Sequence, residues 1–301
     1  MRLNPIVKKE IRVQARSMRI CWEVFAYEAI MAAVFFFAML IFEQTLSYSQ
    51  SNIYSSITGL FPVLGMTQLL ILGVVIPVWT STAISGEKER QTFDIMMTTS
   101  MSPFSIIMGK AMTAIMQGMF FVVAGMPILA LAFVIGGMSW GKLFTYLGVA
   151  LLVSLFSAGI GIFCSSVCRK SISAVILSYG IYVGFFVLTA LPMMLAALLE
   201  YTDTGAAAAM PFLLFNPACY LTEFFTWSMT GVSMAHEMIT DNKCFAWAGQ
   251  SAAAVHIVWM LLSTLCLVLF AFFFLLIAKK RISPVSKRKA KKLSQGAKVN
   301  G

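Results

Sequence analysis

Six stretches of this chain are each long enough to cross a bilayer and almost free of formal charge: Val24 to Phe42, Leu60 to Ile84, Ala111 to Gly136, Leu143 to Val167, Ser171 to Leu199 and Ser251 to Ala278. At about 1.5 Å per residue, roughly 20 helical residues span about 30 Å of hydrocarbon. Only the first stretch holds a formal charge, Glu28. Backbone groups in lipid must be paired within the segment, so spans of this length are read as helices. Composition excludes the alternatives: 59% of residues are hydrophobic and 11% charged, against about 45–50% and about 25% in soluble domains. A disordered chain is never this apolar.

The basic residues orient the spans. Six Lys and Arg lie between Met1 and Ile20, three between Ser85 and Lys110, two at Arg169 and Lys170, and nine between Lys279 and Gly301, which accounts for 20 of the 22. Six spans put all of them on one side, and the positive-inside rule makes that side, with both termini, cytoplasmic. Lys142 and Lys243 fall on the other side with Glu43, Glu200, Asp203, Glu223, Glu237 and Asp241. A seventh apolar stretch, Gly205 to Thr222, is short and broken by Pro211 and Pro217. As a span it would carry the nine-charge tail outside, so residues 205–229 are expected to form a re-entrant or surface-lying element.

Residues 1–22 show no small-residue cleavage site and read as an amphipathic interfacial helix. Asn4 and Pro5 suit its start, Val7, Ile11, Met18 and Trp22 fall near one face, and Lys9, Arg12, Arg16 and Arg19 fall on another. The tail, residues 279–301, is expected to be disordered after Ser283-Pro284, attracted to anionic lipid rather than to nucleic acid, since it lacks interleaved aromatics.

Catalytic and cofactor chemistry is not found. Gly136 to Leu143 matches a phosphate loop for seven positions and fails at the eighth, where Leu143 replaces the magnesium-binding Ser or Thr, so a tight turn is expected there. His236 and His256 have no partner at metal spacing, and Cys164 with Cys168 has no second pair. Cys219 and Cys244 share the outer side and could pair, with free thiols the favoured state. No catalytic residue, cofactor or metal site is assigned.

The informative segment is the loop after the second span. Phe93, Met96 and Met97 stand at i, i+3 and i+4, so a short helix from about Glu87 to Thr99 would set an apolar stripe opposite Glu87, Lys88, Glu89 and Asp94. Ser102-Pro103 then starts a helix that runs through Lys110 into the third span, with Lys110 free to snorkel. A charged helix held between two spans is suited to receive force from a soluble partner; an ordinary connecting loop is the plainer reading.

Glu87, Glu89, Arg90, Thr92, Met96, Met97, Pro103, Gly109 and Lys110 match a loop of the form E-x-E-R-G-T, followed by paired leucines, a proline and a closing G-K. On these residues the chain resembles the permease subunits of ABC-2 type ATP-binding cassette transporters. Gln91 departs from the pattern, standing where Gly is usual. The resemblance covers the whole plan, residues 1–278: an all-α membrane domain with a basic entry helix, six spans, a coupling loop at 86–102 and a helical hairpin before the last span, where Asn216-Pro217 can open a helix.

The resemblance implies a half-transporter in the cell membrane. Two permease subunits, identical or different, form the pathway, and two separate ATPase subunits bind ATP and magnesium beneath them. Glu87, Lys88, Glu89, Arg90, Thr92, Phe93 and Pro103 would carry the ATPase contact together with the interfacial helix. Transport would be outward, with drugs or peptides the substrates suggested by the short outer hairpin. The rival readings are a polytopic membrane enzyme, for which His236-Glu237 is the single adjacent acid–base pair, and a passive channel or scaffold without an ATPase.

Further span residues bear on the pathway. Gly180 and Gly184 form a small-xxx-small pair, read first as packing within the chain and second as contact between subunits. Pro62, Pro77, Pro127 and Pro192 are expected to kink or loosen their helices. Glu28 either serves function in the membrane or, as favoured here, reaches back to the interface or to an entry-helix Arg. Met193, Met194, Phe212 and Phe215 are candidates to line a substrate route near the outer mouth.

Overall fold

The computed structural model describes residues 7–8, 10, 12–13, 16–48, 59–93, 102–135, 139–198, 209–240 and 251–299, with backbone alone for 45–48, 133, 135, 197, 239–240 and 283–299. Among them no strand occurs. The helices are α1 (Met18–Tyr48), α2 (Leu60–Glu89), α3 (Pro103–Ala124), α4 (Met126–Ile135), α5 (Trp140–Val167), α6 (Ser171–Leu198), α7 (Pro217–Thr230), α8 (Met234–Thr240) and α9 (Ala252–Val299). Six of these are long and apolar enough to cross a membrane: α1, α2, α3, α5, α6 and α9. They correspond one for one to the six uncharged stretches.

Boundaries differ where local chemistry overrides hydropathy. Ser17 Oγ accepts from the Arg19 N–H at 3.3 Å, which starts α1 at Met18 and ends the entry segment by Arg16. At the start of α3, Ser102 Oγ accepts from the Ser105 N–H at 3.2 Å and Pro103 occupies the first turn. The third span divides at Gly125 into α3 and α4. Pro62 and Pro127 lie in first turns, where no N–H is required, whereas Pro77 and Pro192 interrupt helix interiors. In the tail, α9 continues through Pro284 to Val299, where Lys, Arg, Ala, Leu and Gln are good helix formers.

Helix α5 is the most buried span and packs against α2, α3, α6 and α9. Glycine permits this: a Cβ at Gly161 would overlap Thr80 of α2, and one at Gly159 would lie 3.0 Å from the Ala271 carbonyl oxygen of α9. A polar knot lies in the core. Gln68 bonds the hydroxyls of Tyr27 and Tyr146 and the Val122 carbonyl, tying α1, α2, α3 and α5 together. Such an amide unpaired in lipid would cost several kcal/mol. Gly125 leaves the space that Tyr27 and Gln68 fill.

The chain reverses between spans so that Lys88, Arg90, Lys110, Arg169, Lys170, Lys279, Lys280 and Arg281 gather at one end. This is termed the basic end. Helices α7 and α8 close part of the opposite end, preceded by a helical turn at 209–213; residues 205–208 lie outside the described residues.

Candidate functional site

At the basic end α2 does not stop where its hydropathy does. It runs on to Glu89, so Glu87, Lys88 and Glu89 are its last turn and not the first turn of a separate loop helix. Residues 94–101, including Asp94, Met96 and Met97, lie outside the described residues.

That last turn grips the connection between α5 and α6. Lys88 Nζ donates to the carbonyls of Ser165, Ser166 and Cys168 at 3.1, 2.5 and 3.1 Å, placing a cation on the C-terminal, partially negative end of α5. Glu89 Oε2 accepts from the backbone N–H and hydroxyl of Ser171 at 3.1 and 2.7 Å, which puts an anion on the N-terminal end of α6. Ser165 Oγ in turn lies 2.8 and 2.9 Å from the N–H groups of Ile84 and Ser85. Two adjacent side chains of opposite sign thus hold two helix ends of opposite polarity.

The chain then leaves α2 through a Schellman turn. Thr92 N–H donates to the Glu87 carbonyl at 3.0 Å and Gln91 N–H to that of Lys88 at 3.2 Å, with Gln91 in the left-handed region at φ 61°. Gly is favoured at that position because it lacks a Cβ, which gives the glycine of the E-x-E-R-G-T pattern a physical meaning. The turn leaves Arg90 and Thr92 exposed and buries Phe93. Phe93 joins Ile84, Ile107, Ala111, Ile162, Leu275 and Ala278 in an apolar cluster that spans α2, α3, α5 and α9.

Lys110 does not snorkel. It is 5% exposed, and its ammonium lies 2.7 Å from Glu87 Oε1 and 3.1 Å from Glu10 Oε1, joining α3 to α2 and to the N-terminal segment. Glu87 Oε2 is buried without a hydrogen-bond partner among the described residues. Pro103 sits half-buried about two turns before Lys110 on α3.

Other candidates fall apart from this cluster. Arg12, Arg16 and Arg19 are exposed, and Val7 is buried; Lys9 and Ile11 lie outside the described residues. Arg19 pairs with Glu23 at 3.0 Å, and Glu28 Oε1 has no hydrogen-bond partner among the described residues. A Cβ at Gly180 or Gly184 would meet no atom within 4 Å among the described residues. Phe215 packs edge-on against Phe270 of α9 at 5.5 Å. Phe212 and Met194 are exposed and Met193 half-buried. Cys219 is a free thiol; Cys244, like Gly136 and Gly137, lies outside the described residues.

A second polar centre, missed by sequence reading, occupies the opposite end. Glu223 of α7 is 2% exposed and accepts from Ser233 Oγ at 2.7 Å, the Ala235 N–H at 3.1 Å and His256 Nδ1 of α9 at 2.8 Å. Burial pushes its carboxyl pKa up, but the hydrogen bonds from His256, Ser233 and Ala235 outweigh that and hold it below its ordinary value. Trp227 stacks on the His256 ring with centroids 4.4 Å apart. Glu223 with His256 thus forms an acid–base pair at this end, in addition to the sequence-adjacent His236-Glu237. A histidine inside an apolar span and a lone acid 33 residues earlier were the only sequence signals.

No curated protein matches the chain. The family model described as ABC-2 family transporter protein matches residues 40–279, well over half of the sequence, from within α1 to the basic end of α9. With six helices fit to cross a membrane and the α2–α3 turn at their basic end, the chain belongs to the ABC-2 family of transporter proteins.

Proposed function

We propose that this chain is the permease subunit of an ATP-binding cassette exporter of the cell membrane, with the α2–α3 turn as its ATPase-coupling element. The supporting observation is the paired grip of Lys88 and Glu89 on the ends of α5 and α6. A push on the exposed Arg90–Thr92 turn is passed to α2 covalently, to α5 and α6 through these polar contacts, and to α3 through Glu87 and Lys110. Four spans then respond as one body, which a passive channel has no need of. Two ATPase subunits binding ATP and magnesium would supply the push. The turn divides the roles: Arg90 and Thr92 face the partner, Glu87, Lys88 and Glu89 transmit, and Phe93 anchors the turn on the bundle. A second permease subunit would complete the pathway, and the open face at Gly180 and Gly184 of α6 offers a place for close helix approach. The exposed Arg12, Arg16 and Arg19 would rest on anionic headgroups beside the ATPase.

The test is co-expression with the ATP-binding cassette ATPase encoded nearest to this chain. Wild type should retain that ATPase on purification and change its ATP turnover. Arg90→Glu should lose retention, whereas Lys88→Ala/Glu89→Ala should keep the ATPase and lose the change in turnover. A wild-type chain that neither retains nor affects the ATPase overturns the reading.

A further inference from the structure

A cavity of about 600 Å³ opens between α5, α7 and α9 at the end opposite the basic cluster, within the range of about 300–1,000 Å³ usual for small-molecule sites. Its walls are three helix stripes. Lys142, Thr145, Val149 and Leu152 descend along α5, His256, Met260 and Thr264 along α9, and Tyr220, Phe224 and Trp227 along α7. Lys142, Thr145 and His256 lie near the helix ends and Leu152, Met260 and Leu261 deeper along the spans, while the deepest polar group on α9, the Thr264 hydroxyl, is engaged by the Tyr220 hydroxyl at 3.2 Å.

The flank is open toward the bilayer. Ile257 and Leu261, which line the cavity, are 56% and 65% exposed, and a Cβ placed on Gly148 would meet no atom within 4 Å. An occupant can therefore enter sideways from lipid, and it must be amphipathic to suit both parts of the wall.

Charge fixes the head. Lys142 Nζ donates to the Ser228 carbonyl at 2.5 Å, and an ammonium with three donors can hold that carbonyl and an anionic oxygen together. Glu223, the nearby acid, is buried and engaged by Ser233, Ala235 and His256, so it does not offer itself to a cation. We propose that this groove binds a membrane glycerophospholipid, its phosphate held by Lys142 and one acyl chain lying between α5 and α9. The site stands independently of any ATPase partner, so its failure and that of the permease reading are separable.

Full-length protein in detergent micelles, titrated with acyl-labelled phosphatidylglycerol, tests this. Saturable binding near one lipid per chain is expected, with diacylglycerol of the same acyl chains a poor competitor. Lys142→Glu should raise Kd by about tenfold or more, the scale of a lost charge-assisted contact. Gly148→Phe, which fills open space, should abolish the saturable component while the melting temperature is kept. Equal competition by diacylglycerol, or an unchanged Kd in folded Lys142→Glu, overturns the proposal. So does efficient disulfide crosslinking between copies of Ile257→Cys, which would make the groove an interface with a second copy.

Discussion

Both ends of the bundle bury a carboxylate against a base, and they do so over very different distances along the chain. At the basic end Lys110 reaches Glu10, 100 residues away, and Lys88 reaches Ser166, 78 residues away. At the opposite end Glu223 is satisfied by Ser233 and Ala235, 10 and 12 residues on, and by His256, 33 residues on. Contacts of the first kind weld spans that are remote in sequence into one body. Contacts of the second kind fold a short helix pair onto the span that follows it. The basic end is thus a junction between spans, and the Glu223 cluster fixes a cap on α9 that Lys142 of α5 also holds through the Ser228 carbonyl, 86 residues away. The comparison predicts global effects of mutation at the first and local effects at the second.

Lys110→Met should have the largest effect. It leaves two carboxylates facing each other in a half-buried site with no cation between them, and removing one partner of a buried ion pair costs about 3 kcal/mol or more. Thermal melting in detergent micelles should fall for the whole bundle in a single transition. Adding Glu87→Gln should return part of the loss, because the carboxylate nearest the removed ammonium is then gone. A double variant no more stable than Lys110→Met would show that the junction does not depend on this ion pair.

Glu223→Gln should cost less, about 2 kcal/mol, because shape is kept and charge-assisted hydrogen bonds are weakened. Hydrogen exchange should rise in α7 and α8 and remain unchanged in α2 and α5. The sign of the pH dependence follows from the lowered carboxyl pKa. The folded carboxylate holds its proton less tightly than in the unfolded chain, whose ordinary value is 4.5, so its contribution is complete above that value and fades as pH falls through the lower folded-state one. Protection of α7 and α8 should therefore drop in acid in wild type more steeply than in Glu223→Gln. Equal slopes would detach Glu223 from the cap.

Hydropathy made the six spans legible because lipid demands long uncharged runs and nothing else produces them. It was blind inside those runs. The Gln68 knot lies in apolar stretches where no charge or cap marks it, and it arises from the Tyr27 and Tyr146 hydroxyls and the Val122 carbonyl of three other helices. Charged residues near span ends were legible as residues but not as pairs. Lys110 read as a snorkelling lysine because its two acids lie on other segments, and Glu223 read as one of several outer charges because His256 belongs to a span. The α2–α3 turn was the exception. Its residue types and spacing marked it as special, while its first three charges proved to be engaged within the chain, Glu87 by Lys110 and Lys88 and Glu89 by the ends of α5 and α6.

Gln91 offers the smallest and most local test of that turn. At φ 61° its Cβ is crowded by the neighbouring backbone, a conformation that costs a non-glycine residue about 1–2 kcal/mol. Gln91→Gly removes this strain but gives the unfolded chain more freedom to lose, so the net gain should be about 0.5–1 kcal/mol. The gain should appear as slower exchange of the Gln91 and Thr92 amides, which donate to the Lys88 and Glu87 carbonyls, with Glu223, His256 and the cap unaffected. Because Lys88 and Glu89 sit in the same last turn of α2, a firmer turn should also tighten their hold on α5 and α6, seen as slower exchange at Cys168 and Ser171. Slower exchange at Gln91 alone would separate the turn from the junction and leave the helix ends gripped by α2 without help from the loop.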